Sequence, residues 1–168
     1  EKLVIVTLYP YYSTSTTGSM ENLVARLNSS GTFNKEDLLI VDRYGDHPAF
    51  IKAMVDQINQ YIADEGFTDG DNIDLLCSAH SIPVSRVKKG DPYRDEIESS
   101  VIALREALPA NINMHLAFQS KIGPVKWLEP ATPDKVTELA EQGVKDLLAY
   151  PLGFVADNSE TIFEIGML

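Results

Sequence analysis

Five short apolar runs recur along the chain, and longer stretches with helical periodicity separate them. Runs that are apolar throughout, rather than alternating with polar residues, are typical of strands covered on both faces, as in parallel sheets. The predicted strands span 3–8, 38–43, 73–79, 113–119 and 146–152. The predicted helices span 19–28, 48–64, 92–108 and 133–142. This alternation predicts an α/β fold, in which a doubly wound, mainly parallel sheet carries helices on both faces.

The chain has 168 residues, of which 44% are hydrophobic and 23% are charged. These values fit one soluble α/β domain over residues 1–168. The net charge of −11 argues against nucleic acid or an anionic membrane as the main partner, because both are bound through clustered Lys and Arg side chains. No run approaches the ~18 apolar residues that a membrane helix requires, so no transmembrane segment is expected.

Cys77 is the only cysteine, and it lies inside an apolar run. It can form neither an internal disulfide nor a thiolate cage for a metal, which favours a reducing compartment such as the cytoplasm. The chain begins directly on a strand-like run, and its last residues, "IFEIGML", form an amphipathic pattern without a C-terminal cap. We therefore expect the chain to be part of a longer protein.

Three long irregular stretches follow the carboxyl ends of predicted strands, at 9–18, 78–91 and 119–132. Ligands bind at that edge of an open parallel sheet. We therefore expect the three stretches to converge there, together with the residues that follow Leu152.

His80 directly follows the third predicted strand, in the sequence "SAHSIP". An imidazole at this edge can exchange protons at neutral pH or bind a metal ion. A lone histidine at a strand end is more often a hydrogen-bonded loop residue, so its position alone does not assign a role. His47, which precedes a proline at a helix start, and His115, inside a strand, are weaker candidates.

Asp157 precedes a predicted helix that carries Glu160 and Glu164. The two glutamates are four residues apart, so they share one helix face, where they can bind a divalent cation or relay protons. Asp157 and Glu160 also fit a capping box, which serves only to satisfy the first amides of the helix. The spacing leaves both interpretations open.

"YYSTSTTGS" (11–19) places many hydroxyl groups, including those of Ser13 and Thr17, ahead of a predicted helix. They can receive an anion at the helix N-terminus or form hydroxyl–backbone turns that cap the helix. Trp127 lies in the loop sequence "GPVKW" and can either wall a flat aromatic ligand or anchor its loop to the core. The sequence lacks the common nucleotide-loop, hydrolase and zinc-protease motifs.

Four motifs, in this order along the chain, resemble the C-terminal half of the ferrochelatases, enzymes that insert ferrous iron into a porphyrin. The motifs are "LYPYYSTSTTGS" (8–19), "SAHSIPVSRVKKGDPY" (78–93), "FQSKIGPVKWLEPAT" (118–132) and "PLGFVADNSETIFEI" (151–165). Because they are spread over the whole chain, the resemblance is specific.

The resemblance implies that His80 and Glu160 are catalytic and face each other across the porphyrin cleft. Two pyrrole protons must leave as the metal enters, so such a site needs a base and acceptors that guide the cation. The resemblance assigns metal contact to His80, Glu160 and Glu164, and leaves open whether His80 is a base or an iron ligand. It also implies substrate-binding roles for Pro83, Ser120, Lys121 and Trp127, and supporting roles for Ser13, Thr17 and Asp157, the last as a helix-orienting or capping residue.

Two departures from the family pattern bear on cofactors. Asn158 stands where many relatives have a second histidine, so a metal route through that imidazole is in doubt. Thr14 stands where animal relatives have a cysteine ligand of an iron–sulfur cluster, and Cys77 lies elsewhere. The expectation is therefore no iron–sulfur cluster and no tightly bound cofactor, with Fe²⁺ as a substrate.

Ferrochelatases have two similar α/β halves with the porphyrin between them. The resemblance therefore implies three partners for this chain, which are a porphyrin, ferrous iron and the N-terminal half of the same protein. A 168-residue fragment alone is expected to be inactive. The alternatives are a cobalt or nickel tetrapyrrole chelatase and a non-catalytic ligand-binding domain, and the choice between protoporphyrin IX and coproporphyrin III is open.

Overall fold

The structure, a computed structural model, describes residues 2–31, 33–68 and 70–166. The strands are β1 (Leu3–Val6), β2 (Leu38–Val41), β3 (Ile73–His80), β4 (Ile112–Gln119) and β5 (Leu147–Leu152). The helices are α1 (Thr17–Leu27), α2 (Pro48–Asp64), α3 (Val84–Val87), α4 (Tyr93–Ala107) and α5 (Thr132–Glu141). Short 3₁₀ turns cover Asn28–Ser30 and Lys35–Asp37, and a π-helical segment covers Thr161–Ile165. The alternation of strands and helices confirms the predicted α/β class.

The described strands form two parallel sheets rather than one continuous layer. In the smaller sheet β1 pairs with β2, from Leu3 beside Leu38 to Val6 beside Val41. In the larger sheet the order is β4–β3–β5, so β3 lies in the centre. The mainly parallel character that the apolar runs predict is therefore confirmed, and the division into two sheets is a feature that those runs do not reveal.

Strand β3 is the centre of the hydrophobic core. Leu75, Leu76, Cys77 and Ala79 are all fully buried, and β4 and β5 flank the strand on its two edges. Helices α2 and α4 pack against each other, and α5 contacts β4. A continuous apolar run is what a strand in this position requires, since it has no solvent-facing side.

The smaller sheet is exposed by comparison. Val4, Val6 and Leu39 have relative exposures of 54%, 57% and 58%. These side chains belong to apolar runs as hydrophobic as that of β3, yet each is more than half exposed. A parallel sheet with exposed apolar side chains usually packs against another part of the protein or a partner.

Tyr11 joins the segment after β1 to helix α4. Its ring is buried, its hydroxyl donates to Oγ of Ser100 at 3.0 Å, and Oγ of Ser100 donates to the carbonyl of Gly45 at 2.6 Å. A Cβ atom on Gly45 would lie 2.1 Å from the Tyr11 ring, so only glycine permits this approach. Burial raises the pKa of the Tyr11 phenol well above its ordinary value, so the hydroxyl stays a donor.

The observed helices differ from the predicted ones in three places. Helix α1 begins at Thr17 rather than at residue 19, and the short helix α3 is absent from the prediction. The predicted last helix is largely a π-helical segment, a geometry that no apolar period specifies. Within the described residues, no helix combines the length and the apolar character needed to cross a membrane.

Truncation of two residues of α4 should destabilise the protein to very different extents, because only one of them lies in the core. Leu104 is fully buried, so Leu104→Ala should lower the free energy of unfolding by about 2–5 kcal/mol through lost transfer energy and a residual cavity. Ile102 is 60% exposed, and Ile102→Ala should change it by less than about 1 kcal/mol. Urea denaturation of the two variants measures both values, and equal destabilisation would contradict the assigned core.

Candidate active site

A cavity of about 420 Å³ lies at the carboxyl ends of the strands of the larger sheet. It is named here the active-site cavity, and it is lined by Tyr9, Tyr11, Ser13, Ser15, Thr16, His80, Ser81, Ile82, Pro83, Arg86, Tyr93, Trp127, Leu152, Gly153, Phe154 and Glu160. All three irregular stretches that the sequence singles out contribute to this wall, as do residues that follow β5. Their predicted convergence at one edge is confirmed.

His80 lies at the last position of β3, and two hydrogen bonds fix it. Its Nδ1 is 2.7 Å from the carbonyl oxygen of Ser81, and since a carbonyl only accepts, Nδ1 carries a hydrogen. The hydroxyl of Tyr93 donates to the carbonyl of His80 at 2.9 Å. The ring is thereby oriented with Nε2 toward the cavity, where this nitrogen is available as a base or a ligand.

Glu160 lies next to His80 in the wall of the cavity. Its Oε2 lies 3.6 Å from Nε2 of His80, and the two side chains are 39% (His80) and 37% (Glu160) exposed. Among the described residues this buried oxygen has no hydrogen-bond partner. Because a buried polar atom without a partner is costly, this oxygen is a position at which a donor or a cation can bind.

Glu164 has a different partner, the side chain of Ser120. Oγ of Ser120 lies 2.9 Å from both carboxylate oxygens and donates to them. Ser120 has φ of 65°, a left-handed conformation that non-glycine residues rarely adopt. The strained backbone aims the hydroxyl at Glu164, so the two glutamates that the sequence groups together are held separately.

Asn158, rather than Asp157, caps the start of the last helical segment, and a helix-orienting role for Asp157 stays a prediction. Oδ1 of Asn158 accepts from the backbone N–H of Glu160 at 2.8 Å and from that of Thr161 at 3.2 Å. A short amide directly before the helical turn has the reach for this contact. Asp157 is exposed and lines a separate groove beside α2 instead of the active-site cavity.

The backbones of Trp127 and Pro83 pair with each other. The two residues form an isolated antiparallel bridge, and Trp127 Nε1 donates to the carbonyl of Ile122 at 2.9 Å. These contacts attach the loop after β4 to the loop after β3 and hold the indole at the cavity wall. Lys121, by contrast, is exposed and does not line the cavity, so its predicted contact with substrate stays a prediction.

Asp91 is a buried carboxylate that the sequence analysis does not single out. Its Oδ2 accepts from Oγ of Ser13 at 3.0 Å and from the backbone N–H and Oγ1 of Thr14 at 2.9 and 2.6 Å. Its Oδ1 accepts from the backbone N–H of Tyr93 at 3.1 Å. Burial opposes ionisation, but these donors outweigh it and hold the pKa of Asp91 below its ordinary value.

The hydroxyl-rich stretch before α1 therefore divides into two parts. Ser13 lines the cavity and bonds to Asp91, whereas Thr17 begins α1 and does not line the cavity. Oγ1 of Thr17 is buried, and no partner for it is found in the part of the chain that the structure describes. A signal for Asp91 is present in "GDPY", where an acidic residue follows a turn glycine, but two of its three partners, Thr14 and Ser13, lie 77 and 78 residues away.

The chemistry of the site is that of a pair rather than a metal cage. Over residues 2–31, 33–68 and 70–166, no group of three or more His, Cys, Asp or Glu side chains is placed to hold a metal ion. Nε2 of His80 faces the cavity, and Glu160 offers a carboxylate oxygen without a hydrogen-bond partner in the described chain. Such a pair can accept protons, or contact a cation that other ligands also hold.

Asp91→Asn should lower the free energy of unfolding by about 1–3 kcal/mol, because the amide nitrogen cannot accept the bonds that a carboxylate oxygen accepts. Since the folded-state pKa lies below its ordinary value, the stabilisation is complete above that value and is lost as the pH falls through the folded-state pKa. The difference between wild type and variant should thus shrink below about pH 4. Urea unfolding at pH 7 and pH 3 tests this, and a pH-independent difference would contradict it.

Two substitutions at Ser120 separate its hydrogen bond from its backbone strain. Ser120→Ala and Ser120→Gly both remove the bond to Glu164, but only glycine tolerates the positive φ without cost. The glycine variant should therefore be more stable than the alanine variant by about 1 kcal/mol. Thermal or urea unfolding compares them directly, and a more stable alanine variant would show that the backbone is unstrained.

The whole chain, residues 1–168, matches the family model described as Ferrochelatase. It is 43% identical over 165 residues to the ferrochelatase of Geotalea uraniireducens (strain Rf4), covering 98% of this chain and 50% of that protein. It is 41% identical over 167 residues to the ferrochelatase of Trichodesmium erythraeum (strain IMS101), covering 98% and 43%. The chain thus spans about half the length of the curated relatives that it matches, and it belongs to the ferrochelatase family.

Proposed function

We propose that this chain is half of a ferrochelatase, a lyase-class enzyme that inserts Fe²⁺ into a porphyrin in haem biosynthesis. The observation that carries the proposal is the facing pair, with Nε2 of His80 3.6 Å from Oε2 of Glu160 in the active-site cavity. The family membership and the names of the relatives support the same reaction. The porphyrin is protoporphyrin IX or coproporphyrin III.

In the proposed reaction, His80 removes protons from the porphyrin. The substrates are a neutral porphyrin with two pyrrole N–H groups and Fe²⁺, and the products are the iron porphyrin and two protons. Because Nδ1 of His80 already donates to Ser81, the lone pair of Nε2 is free to accept a proton from a pyrrole nitrogen. The bond from Tyr93 to the His80 carbonyl keeps the strand end, and with it the ring, in place.

Glu160 and Glu164 form the proposed route for the metal and the protons. The unpartnered oxygen of Glu160 accepts a proton from His80 or contacts the incoming cation. Glu164 lies one helical turn further on, where Ser120 holds its carboxylate. Since these side chains supply few ligands, the porphyrin nitrogens complete the coordination of the iron.

The other half of the protein is the proposed structural partner. It would cover the exposed apolar side chains of the smaller sheet, among them Val4, Val6 and Leu39. Covering both faces is the usual condition of a parallel sheet in water. The active-site cavity would then become a cleft between two halves, and the 168-residue fragment alone would be inactive.

The proposed enzyme carries no tightly bound cofactor, and iron enters only as a substrate. Cys77 is buried within β3, and burial raises the pKa of its thiol to about 12, so it is a poor ligand for an iron–sulfur cluster. A free, buried cysteine also fits a reducing compartment, and we propose a cytoplasmic location.

A comparison of two histidines in the full-length enzyme tests the function and the role of His80. His80→Asn should lower the rate of Fe²⁺ insertion by about 100-fold or more, because it removes the proposed base. His47→Asn is the control, since His47 is exposed, caps α2 through Nδ1 and lies outside the cavity, and asparagine also caps helices well. Anaerobic absorbance assays with protoporphyrin and coproporphyrin measure both rates.

The possible outcomes separate the function from the residue role. Wild-type protein that leaves both porphyrins unmetallated with Fe²⁺ would overturn the function, and insertion of only Co²⁺ or Ni²⁺ would replace iron as the metal. Normal turnover by His80→Asn would remove His80 as the base and leave the function standing.

A further inference from the structure

A second cavity, also of about 420 Å³, adjoins the active-site cavity. It is named here the rim cavity, and its lining includes Thr14, Pro83, Ser85, Arg86, Lys89 and Asp91. Pro83 and Arg86 line both cavities. The rim cavity is therefore a lateral extension of the active-site cavity, and Arg86 lies where the two meet.

The rim cavity carries two cations that are not neutralised by carboxylates. The Arg86 guanidinium donates through Nη1 to Oγ1 of Thr14 at 3.3 Å, which leaves other N–H groups of the fork available. Within the described residues, neither Arg86 nor Lys89 forms an ion pair. Two cations that lie beside one cavity without a carboxylate partner in the described chain favour an anion as its ligand.

Asp91 also borders the rim cavity, but its carboxylate is already occupied. It is 5% exposed, and Ser13, Thr14 and Tyr93 donate to its two oxygens. Its charge reduces the local positive potential without neutralising Arg86, with which its side chain forms no ion pair in the part of the chain that is described. The hydroxyl of Ser85 adds a neutral donor to the same lining, whereas the hydroxyl hydrogen of Thr14 is already donated to Asp91.

We propose that Arg86 and Lys89 bind one carboxylate side chain of the porphyrin in the rim cavity, an inference that rests on the proposed function. A macrocycle in the active-site cavity, with its pyrrole nitrogens at His80, has its edge beside Arg86, because Arg86 lines both cavities. Guanidinium groups bind carboxylates through two parallel N–H···O bonds, which fixes orientation as well as affinity. The subsite therefore sets the rotation of the porphyrin relative to His80.

Binding measurements on the full-length protein test the subsite without relying on turnover. Fluorescence titration gives the Kd for coproporphyrin III and for its tetramethyl ester, which has the same ring and no carboxylates. Arg86→Gln should raise the Kd of the free acid about tenfold, because a charge-assisted hydrogen bond is lost, and Lys89→Gln should change it in the same direction. Neither substitution should change the Kd of the ester by more than about twofold.

Lys88 provides the matched control. It is exposed, it lies between the two proposed ligands in sequence, and it lines neither cavity, so Lys88→Gln removes one charge without touching the subsite. The Kd of the Lys88→Gln variant for coproporphyrin III should stay within about twofold of the wild-type value. Arg86→Lys, which keeps the charge but loses the fork, should give an intermediate Kd and serves as the test if Arg86→Gln does not fold.

Other outcomes would each overturn the subsite, its proposed ligand or the proposed function. If Arg86→Gln and Lys88→Gln weaken binding of the free acid equally, or if the ester is affected as much as the acid, the subsite is overturned. If inorganic phosphate binds in an Arg86-dependent way while porphyrin binding is unchanged by Arg86→Gln, the cavity takes a free anion instead. If wild-type protein neither binds nor metallates any porphyrin, the proposed function itself fails.

Discussion

The buried carboxylate of Asp91 joins parts of the chain that belong to different sheets. Ser13 and Thr14 follow β1 of the smaller sheet, whereas Asp91 and Tyr93 follow β3 of the larger one. An isolated carboxylate in this position would cost several kcal/mol, so it is stable only because donors from both sides converge on it. The same contact shapes both cavities, since Ser13 and Tyr93 line one and Asp91 lines the other.

Tyr93 links the buried carboxylate of Asp91 to His80. Its backbone N–H is fixed by Asp91, its ring packs edge-on against Tyr11 at 6.2 Å, and its hydroxyl donates to the His80 carbonyl. Burial raises the pKa of the Tyr93 phenol, with the charge of Glu160 adding to the effect, so it remains a neutral donor beside the site. A histidine whose main chain and Nδ1 are both fixed is preorganised for proton transfer at Nε2.

The sequence predicts the ligand edge well because that prediction depends on local pattern and on one topological rule. Apolar runs locate the strands, and parallel pairing brings the ends of β3, β4 and β5 together, so the positions of His80 and Trp127 follow. The division into two sheets does not follow, because β1 and β3 are equally apolar and only packing distinguishes them. Asp91 is hidden for a similar reason, since its burial depends on partners distant in sequence. Asp157 and Asn158 are neighbours with similar capping ability, and the start of the helical turn decides between them.

The separate partners of the two glutamates give them different chemistry in the proposed reaction. The single hydroxyl hydrogen of Ser120 is shared between the two carboxylate oxygens of Glu164, which fixes the position of that carboxylate. Glu160 has an oxygen next to His80 without a hydrogen-bond partner in the described chain, so in the proposed reaction that oxygen is available to the imidazole or to the cation. Ser120 maintains this difference, because its hydroxyl is the donor that holds Glu164. A site that must release two protons and admit one dication benefits from one carboxylate that is held in place and one that is free to change partners.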